Sequence, residues 1–250
     1  MSNKVLENGS EGIPFGVYWY YDLQYFLDDH NKLDIVFDIG AHFGETANTV
    51  IKYFPNSTIY SFEPVPNTFN VLTEKVKSLS QVKPFNLALG DKTGQIQMTN
   101  FPLCTTNTVL IEQKQKKSAE MIKDITTVNV DTVDHFCQRE GINLINLLKI
   151  DTEGFEINVL KGAKQLLQEG KIDFILAECS FYQPDIGFPH GDFVEILNYL
   201  HPLQYRVVSF YTAAVDNLGW SWGDVLFKKI TTKTSIGKPV YSVPIKPTIS

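Results

Sequence analysis

The chain has 250 residues, of which 43% are hydrophobic and 20% are charged, and its formal net charge is −6 at pH 7. This composition is typical of a globular protein and excludes wholesale disorder, collagen and coiled-coil structure. The acidic balance and the presence of only two arginines argue against nucleic acid as a partner, because phosphate backbones are bound by basic surfaces. No stretch approaches the roughly 18 consecutive apolar residues of a membrane span.

The three cysteines stand far apart in the chain, at Cys104, Cys137 and Cys179. No C-x-x-C pair occurs, so the pattern argues against both a disulfide framework and a zinc site. The N-terminal residues lack the apolar core of a secretory signal. These features lead us to expect a reducing, cytoplasmic location.

Short apolar runs alternate with amphipathic patterns from about residue 34 to about residue 229. The predicted strands are 35–39, 58–62, 85–89, 95–99, 125–130, 147–151, 172–178, 205–211 and 224–228. The predicted helices are 44–54, 67–79, a helix capped by Asp131 that ends at Glu140, 156–169 and 192–200. Parallel strands linked by helices predict an α/β fold with a Rossmann-like, doubly wound sheet.

Three parts of the chain are expected. Residues 1–33 form an aromatic-rich helical extension that packs either on the sheet or on a partner subunit. In the second case the protein would be a homo-oligomer. Residues 34–230 form the main domain, and residues 231–250, which contain three prolines, form an extended arm. Within the main domain, segment 101–124 is polar and irregular and has no assigned role.

A glycine loop follows the first predicted strand, where open α/β sheets bind their ligands. Its sequence, from Asp38 to Gly44, has the spacing G-x-x-x-G and leads into a helix N-terminus. A dinucleotide loop would instead read G-x-G-x-x-G, and the carboxylate of Asp38 would repel a pyrophosphate. A ligand that carries an amine and a sulfonium suits this loop better, which points to S-adenosylmethionine.

An acid, Glu63, ends the second predicted strand in the run Ser61-Phe62-Glu63-Pro64. An acid about 20 residues past a glycine loop commonly accepts hydrogen bonds from ribose hydroxyls. The alternative is a surface glutamate before a turn. In combination with the glycine loop, the spacing favours a ribose ligand.

These residues resemble the FkbM-type methyltransferases over about residues 34–229. The likeness rests on the runs Phe37-Asp38-Ile39-Gly40-Ala41, Phe62-Glu63-Pro64 and Asn86-Leu87-Ala88-Leu89-Gly90, and on Glu178 and Gly223-Asp224-Val225-Leu226-Phe227. Its most distinctive part is Leu148-Lys149-Ile150-Asp151-Thr152-Glu153-Gly154-Phe155-Glu156. Residues 104–117, the aromatic N-terminus and the proline-rich tail show no match.

The resemblance implies a class I methyltransferase sheet of seven strands with the last strand antiparallel. It also implies O-methylation, often of a sugar or glycan hydroxyl and sometimes of a polyketide. By position, Asp38, Gly40 and Gly44 would hold the methionine part of the donor, Glu63 the ribose, and Asn86 and Ala88 the adenosine. The remaining candidates for the donor site are their neighbours Ala41, His42, Phe43 and Pro64, together with Asp151.

Several carboxylates are placed to act on the acceptor. An alcohol is a poor nucleophile and needs a proton acceptor, for which Asp151 or Glu153 is the expected base. Glu178, after the next strand, should face the same crevice, and with Asp151 it could hold Mg²⁺. Glu156 is expected to lie at a helix N-terminus, where its negative charge interacts favourably with the helix dipole. His190 is a further candidate base, the alternative being an ordinary loop histidine.

The leading hypothesis is an S-adenosylmethionine-dependent O-methyltransferase that acts on a small molecule or glycan through a sugar hydroxyl. One alternative is a nicotinamide-dependent oxidoreductase on a similar sheet, against which the missing G-x-G-x-x-G speaks. Another is a non-catalytic scaffold with a methyltransferase fold. Fold and cofactor do not identify the acceptor.

Overall fold

The computed structural model describes residues 14–27, 32–99, 125–182, 191–217 and 219–230. The predictions for His190, for segment 101–124 and for the arm 231–250 concern residues outside these ranges.

The strands and helices follow one another largely as the sequence pattern predicts. The strands are β1 (Ile35–Ile39), β2 (Thr58–Phe62), β3 (Val82–Phe85), β4 (Ala88–Leu89), β5 (Gly94–Thr99), β6 (Ile125–Asp131), β7 (Ile145–Ile150), β8 (Ile172–Ser180), β9 (Tyr205–Asp216) and β10 (Gly219–Lys229). The α-helices are α1 (Trp19–Phe26), α2 (Glu45–Tyr53), α3 (Pro66–Val76), α4 (Val133–Glu140), α5 (Glu156–Gly162), α6 (Lys164–Gln168) and α7 (Phe193–Leu200).

Seven strands form the main sheet in the order β3-β2-β1-β7-β8-β10-β9. The pairs from β3 to β8 are parallel, whereas β10 runs antiparallel to both β8 and β9. The chain changes direction of winding between β1 and β7, which is where such sheets bind ligands. The order confirms the class I methyltransferase sheet with its last strand antiparallel.

The prediction of one continuous strand over residues 85–89 is wrong. In the structure β3 ends at Phe85, and β4 pairs with β6 in a second sheet of order β4-β6-β5. Between them the side-chain amide of Asn86 donates hydrogen bonds of 2.9 Å to the carbonyl oxygens of Glu63 and Pro64. Asn86 therefore fastens the turn that leaves the main sheet.

The helix predicted at 156–169 is also divided, into α5 and α6, which meet at Ala163. Gly162, at the end of α5, packs directly against the backbone of Gly90. An added Cβ at Gly162 would lie 1.9 Å from the Gly90 carbonyl oxygen. This contact joins α5 to the end of β4. The periodicity of apolar side chains continues across the break, so the pattern alone could not show it.

The cap of α4 is Thr132 and not Asp131. The Thr132 side chain accepts a hydrogen bond of 3.1 Å from the backbone N–H of His135. Asp131 is the last residue of β6 and binds instead the His135 ring, at 2.7 Å, and Arg139, at 2.9 Å. Threonine and aspartate are both common N-cap residues, so residue type alone did not show which of the two caps α4.

Helix α1, from the aromatic N-terminal segment, packs on its own chain. Leu23 is fully buried, and the Tyr20 ring stacks on Tyr53 of α2 at 4.2 Å between centroids. Buried Asp22 accepts a hydrogen bond of 2.6 Å from the Tyr211 hydroxyl of β9. Among the described residues, no helix combines the length and the apolar character that crossing a membrane would require.

We predict that Gly162→Ala lowers the free energy of unfolding by more than about 1 kcal/mol, because the new methyl group would overlap the Gly90 carbonyl. An alanine in place of a helical glycine normally stabilises by about 1 kcal/mol, so the expected sign is reversed. Urea denaturation measures the change, with Asn70→Ala on the exposed face of α3 as control. A stabilised Gly162→Ala variant would contradict the packing described.

Candidate active site

A cavity of about 480 Å³ lies at the carboxyl ends of β1, β2, β7 and β8. This volume is within the range of roughly 300–1,000 Å³ of small-molecule sites. Its walls come from the glycine loop, the turn between β2 and α3, the loop after β7, and Glu178 and Trp222 on neighbouring strands. The cavity therefore occupies the position that the sequence predicted for a ligand.

The glycine loop is held against the loop after β7. Gly40 has a φ of 81°, and an added Cβ would lie 1.7 Å from the carbonyl oxygen of Asp151. The backbone N–H groups of Gly40 and Ala41 donate hydrogen bonds of 3.0 Å to the Phe62 carbonyl. Gly44 begins α2 with a φ of 87°. Only glycine combines the conformation of Gly40 with so close a contact, and the positive φ of Gly44 also favours glycine.

Not every predicted donor-site residue lies on the cavity wall. Those on the wall are Gly40, Ala41, His42, Glu63, Pro64, Ala88 and Asp151. Those away from it are Asp38, Phe43, Gly44 and Asn86. Asp38 is fully buried behind the loop, so the structure does not place its carboxylate on an open rim. Asn86 fastens the turn beside the wall through its side-chain amide, and Gly44 precedes the first residue of α2.

Glu63 is directed at the cavity by the backbone around it. One carboxylate oxygen accepts a hydrogen bond of 3.1 Å from the His42 N–H, and the other accepts one of 2.9 Å from the Val65 N–H. Burial raises the pKa of Glu63 to about 7, against the opposing effect of these two bonds. The carboxylate is therefore fixed in place and retains acceptor capacity for ligand hydroxyls.

Lys149 is a site residue that the sequence analysis missed. It is buried in β7, lines the cavity, and its Nζ lies 2.8 Å from Oδ2 of Asp151. Burial acts to lower the pKa of Lys149, but attraction to Asp151 and Asp38 outweighs it and raises the pKa. The signal was a lysine between the apolar residues Leu148 and Ile150 of a buried strand.

Three acids converge at the far side of the cavity. Asp151, Glu153 and Glu178 each offer one oxygen, and these atoms lie within 4.8 Å of one another. The structure thus brings together Asp151 and Glu153, two of the base candidates, and both predicted metal ligands. Oxygen ligands are those that Mg²⁺ prefers. Lys149 already supplies one positive charge to the same group, through Asp151.

Glu156 organises the loop that carries these acids. It is fully buried in the first turn of α5, and its carboxylate accepts hydrogen bonds of 2.9 to 3.1 Å from the Thr152 N–H, the Thr152 hydroxyl and the Gly154 N–H. Burial raises its pKa to about 6. Its position fits the expected dipole interaction, but its main contacts are to the loop.

We predict that Glu156→Gln lowers the free energy of unfolding by about 1–3 kcal/mol, because the new NH₂ group would face an N–H donor without an acceptor. Urea denaturation measures this loss. Glu74→Gln, which alters an exposed pair with Lys77, should change it by less than about 1 kcal/mol. Equal stability of the two variants would show that the buried bonds are unimportant.

The raised pKa of Glu63 predicts a dependence of stability on pH. Its pKa is 4.5 in ordinary surroundings and about 7 here, so the folded state holds the proton more tightly. The resulting stabilisation is complete below pH 4.5 and is lost as the pH rises through about 7. We expect Glu63→Gln to lose less stability than the wild type over this interval, as measured by thermal denaturation. Exposed Glu169→Gln should follow the wild-type curve, and an unchanged slope for Glu63→Gln would refute the shift.

Comparisons with known proteins identify the family. The Methyltransferase FkbM domain matches residues 38–207 of the chain. Hexuronic acid methyltransferase AglP of Haloferax volcanii is 28% identical over 153 residues, which is 61% of this chain and 58% of that protein. The 2-O-methyltransferase NoeI of Sinorhizobium fredii is 24% identical over 157 residues, which is 58% of this chain and 63% of that protein.

The chain covers 58% to 63% of the length of the curated relatives that it matches. Among solved structures, M. capricolum TrmK in complex with S-adenosyl-homocysteine has a TM-score of 0.45 and 9% identity, covering 86% of this chain and 69% of that one. A likeness at that level says nothing about function. The family match spans well over half of the sequence. The chain therefore belongs to the FkbM methyltransferase family.

Proposed function

We propose that the protein is an S-adenosylmethionine-dependent O-methyltransferase whose acceptor is a hydroxyl of a sugar, a glycan or a glycosylated metabolite. The observation that carries this proposal is the acidic cavity at the switch point of the sheet, lined by Glu63, Asp151 and Glu178. The names of two relatives, a hexuronic acid methyltransferase and a 2-O-methyltransferase, support the acceptor class.

The residues of the cavity fit this donor. When bound, S-adenosylmethionine supplies an electrophilic methyl group on a cationic sulfur, and an acidic wall favours a cation. Glu63 is fixed where it can accept hydrogen bonds from ribose hydroxyls. His42 lines the cavity, and its buried Nε2 has no hydrogen-bond partner within the described ranges. Such an atom is suited to contact a bound ligand.

The acceptor would bind at the side of the cavity formed by the three acids. Asp151 or Glu153 would take the proton of the acceptor hydroxyl as the methyl carbon passes from the donor sulfur to the hydroxyl oxygen. Trp222, on the same wall and 37% exposed, offers an aromatic face to a sugar ring. Holding the two reactants in line is the main contribution that such a site makes to the rate.

The proposal includes two further roles. Asp151 and Glu178 would hold Mg²⁺, which would bind the acceptor oxygen, and Glu153 lies close enough to join them. His190 remains a candidate base outside the described residues. Of the two alternative functions, membership of a methyltransferase family argues against the oxidoreductase, and a non-catalytic scaffold is distinguished by assay.

We predict that S-adenosylhomocysteine binds the purified protein and that Glu63→Gln weakens the binding by about 10-fold or more, because an NH₂ group replaces one of the two oxygens that can accept hydrogen bonds from ribose. Titration calorimetry measures both affinities. Asp91→Asn, on an exposed turn, is the matched control and should bind as the wild type does. Absence of binding at millimolar ligand would refute the proposal, and equal binding by Glu63→Gln would remove Glu63 from the donor site.

We further predict that Asp151→Asn loses about 10²–10⁴-fold in methyl transfer at saturating donor, because the proton acceptor is gone. The assay follows labelled methyl transfer to hexuronic acids and to glycans that contain them. Circular dichroism of the variant controls for folding. Full transfer by Asp151→Asn would exclude it as the base, and binding without transfer to any acceptor in the wild type would favour the scaffold.

A further inference from the structure

A row of buried charges crosses four adjacent strands beside the cavity. Asp38 of β1 and Lys149 of β7 are direct partners in the parallel register, and Glu178 of β8 and Asp224 of β10 are direct partners in the antiparallel one. Since side chains alternate between faces, these residues and Asp151 share one face of the sheet. The strand order β1-β7-β8-β10 therefore brings acids from every strand towards one lysine.

Lys149 is the cation of this row. Its Nζ is 2.8 Å from Asp151, and the charges of Asp38 and Asp224 also act on it. A buried charge without a counter-ion is strongly destabilising, so the lysine and its acids depend on each other. No other lysine or arginine within the described ranges is among the groups that act on Asp38.

Asp38 lies beside Lys149 in the strand register and is not on the cavity wall. Neither of its carboxylate oxygens has a hydrogen bond of good geometry within the described residues. Burial raises its pKa to about 6, and attraction to Lys149 is the strongest opposing effect, with a smaller one from the Thr46 hydroxyl. Its carboxylate is fully enclosed. An acid so placed affects a ligand through its neighbour.

We propose that Lys149 is a positioning residue that holds the Asp151 carboxylate at the cavity wall, and that Asp38 acts on the donor site only through Lys149. The identity of the donor rests on the proposed function, but the coupling of the two buried residues does not. The inference replaces the expectation, drawn from the family resemblance, that Asp38 holds the methionine part directly.

The charged groups that face Lys149 set the consequences of removing it. Three acids act on Lys149 directly: Asp38 on β1, Asp151 after β7 and Asp224 on β10. Two more act on these acids, because Glu178 on β8 repels Asp224 and Glu45 at the start of α2 repels Asp38. Without the ammonium, these acids lose their shared counter-ion. Asp38 should then hold its proton at neutral pH.

A double-mutant cycle tests the proposal. The variants are Lys149→Met, which retains an apolar stem, Asp38→Asn, and the two together. We expect Lys149→Met to weaken binding of S-adenosylhomocysteine about 10-fold and Asp38→Asn to weaken it less. In the Lys149→Met background, Asp38→Asn should have no further effect. Calorimetry at neutral pH measures all four affinities.

A conservative variant separates positioning from packing. Lys149→Arg retains the positive charge beside Asp151 and should keep more of the affinity for S-adenosylhomocysteine than Lys149→Met, which retains only the apolar stem. Equal loss of affinity in the two variants would show that the lysine only fills space. The proposal is also overturned if Asp38→Asn weakens binding by the same factor in both backgrounds, since Asp38 would then contact the donor.

A second cycle, on the unfolding free energy without ligand, keeps the test independent of the proposed function. Asp38→Asn should alter stability at neutral pH in the wild-type background and leave it unchanged in the Lys149→Met background. The double variant removes both charges and provides a folded reference if Lys149→Met alone unfolds. If the wild type binds no donor and this coupling is present, the proposed function is refuted, but the coupling of Asp38 with Lys149 is not. Additive effects in this cycle would refute the pair itself.

Discussion

The balance of charge around one buried ammonium is the constraint on which the site depends. A doubly wound sheet brings the carboxyl ends of several strands to one edge, and here those ends carry Asp38, Asp151 and Glu178. Acids so close to one another repel, and burial increases the cost. Lys149 offsets that cost from within β7, while Asp151 remains on the cavity wall.

The loops at this edge of the sheet hold the acids close to the Lys149 ammonium. Gly40 allows the loop after β1 to touch the backbone of Asp151, and Glu156 ties down the loop that follows. Neither residue needs to contact a ligand to matter for the site. In both cases the chemistry of the cavity depends on contacts behind its wall, which are made by backbone groups and buried carboxylates.

Much of the fold was predictable from the sequence because its signals are local. The apolar runs of β1 and β7, the glycine loop and Glu63 follow rules of periodicity and spacing. The break at Ala163 and the second sheet depend on contacts between distant segments, such as Gly162 with Gly90. The role of Lys149 depends on strand order and register, which bring Asp38 beside it and which no local pattern reveals.

A crystal structure of the protein with S-adenosylhomocysteine tests the central claim most directly. The account predicts the ribose hydroxyls within hydrogen-bond distance of the Glu63 carboxylate, the sulfur on the side of Asp151, and Asp38 still enclosed against Lys149. It would be contradicted by a ligand bound elsewhere on the sheet. It would equally be contradicted by a ligand whose methionine part contacts Asp38 while Glu63 remains apart from the ribose.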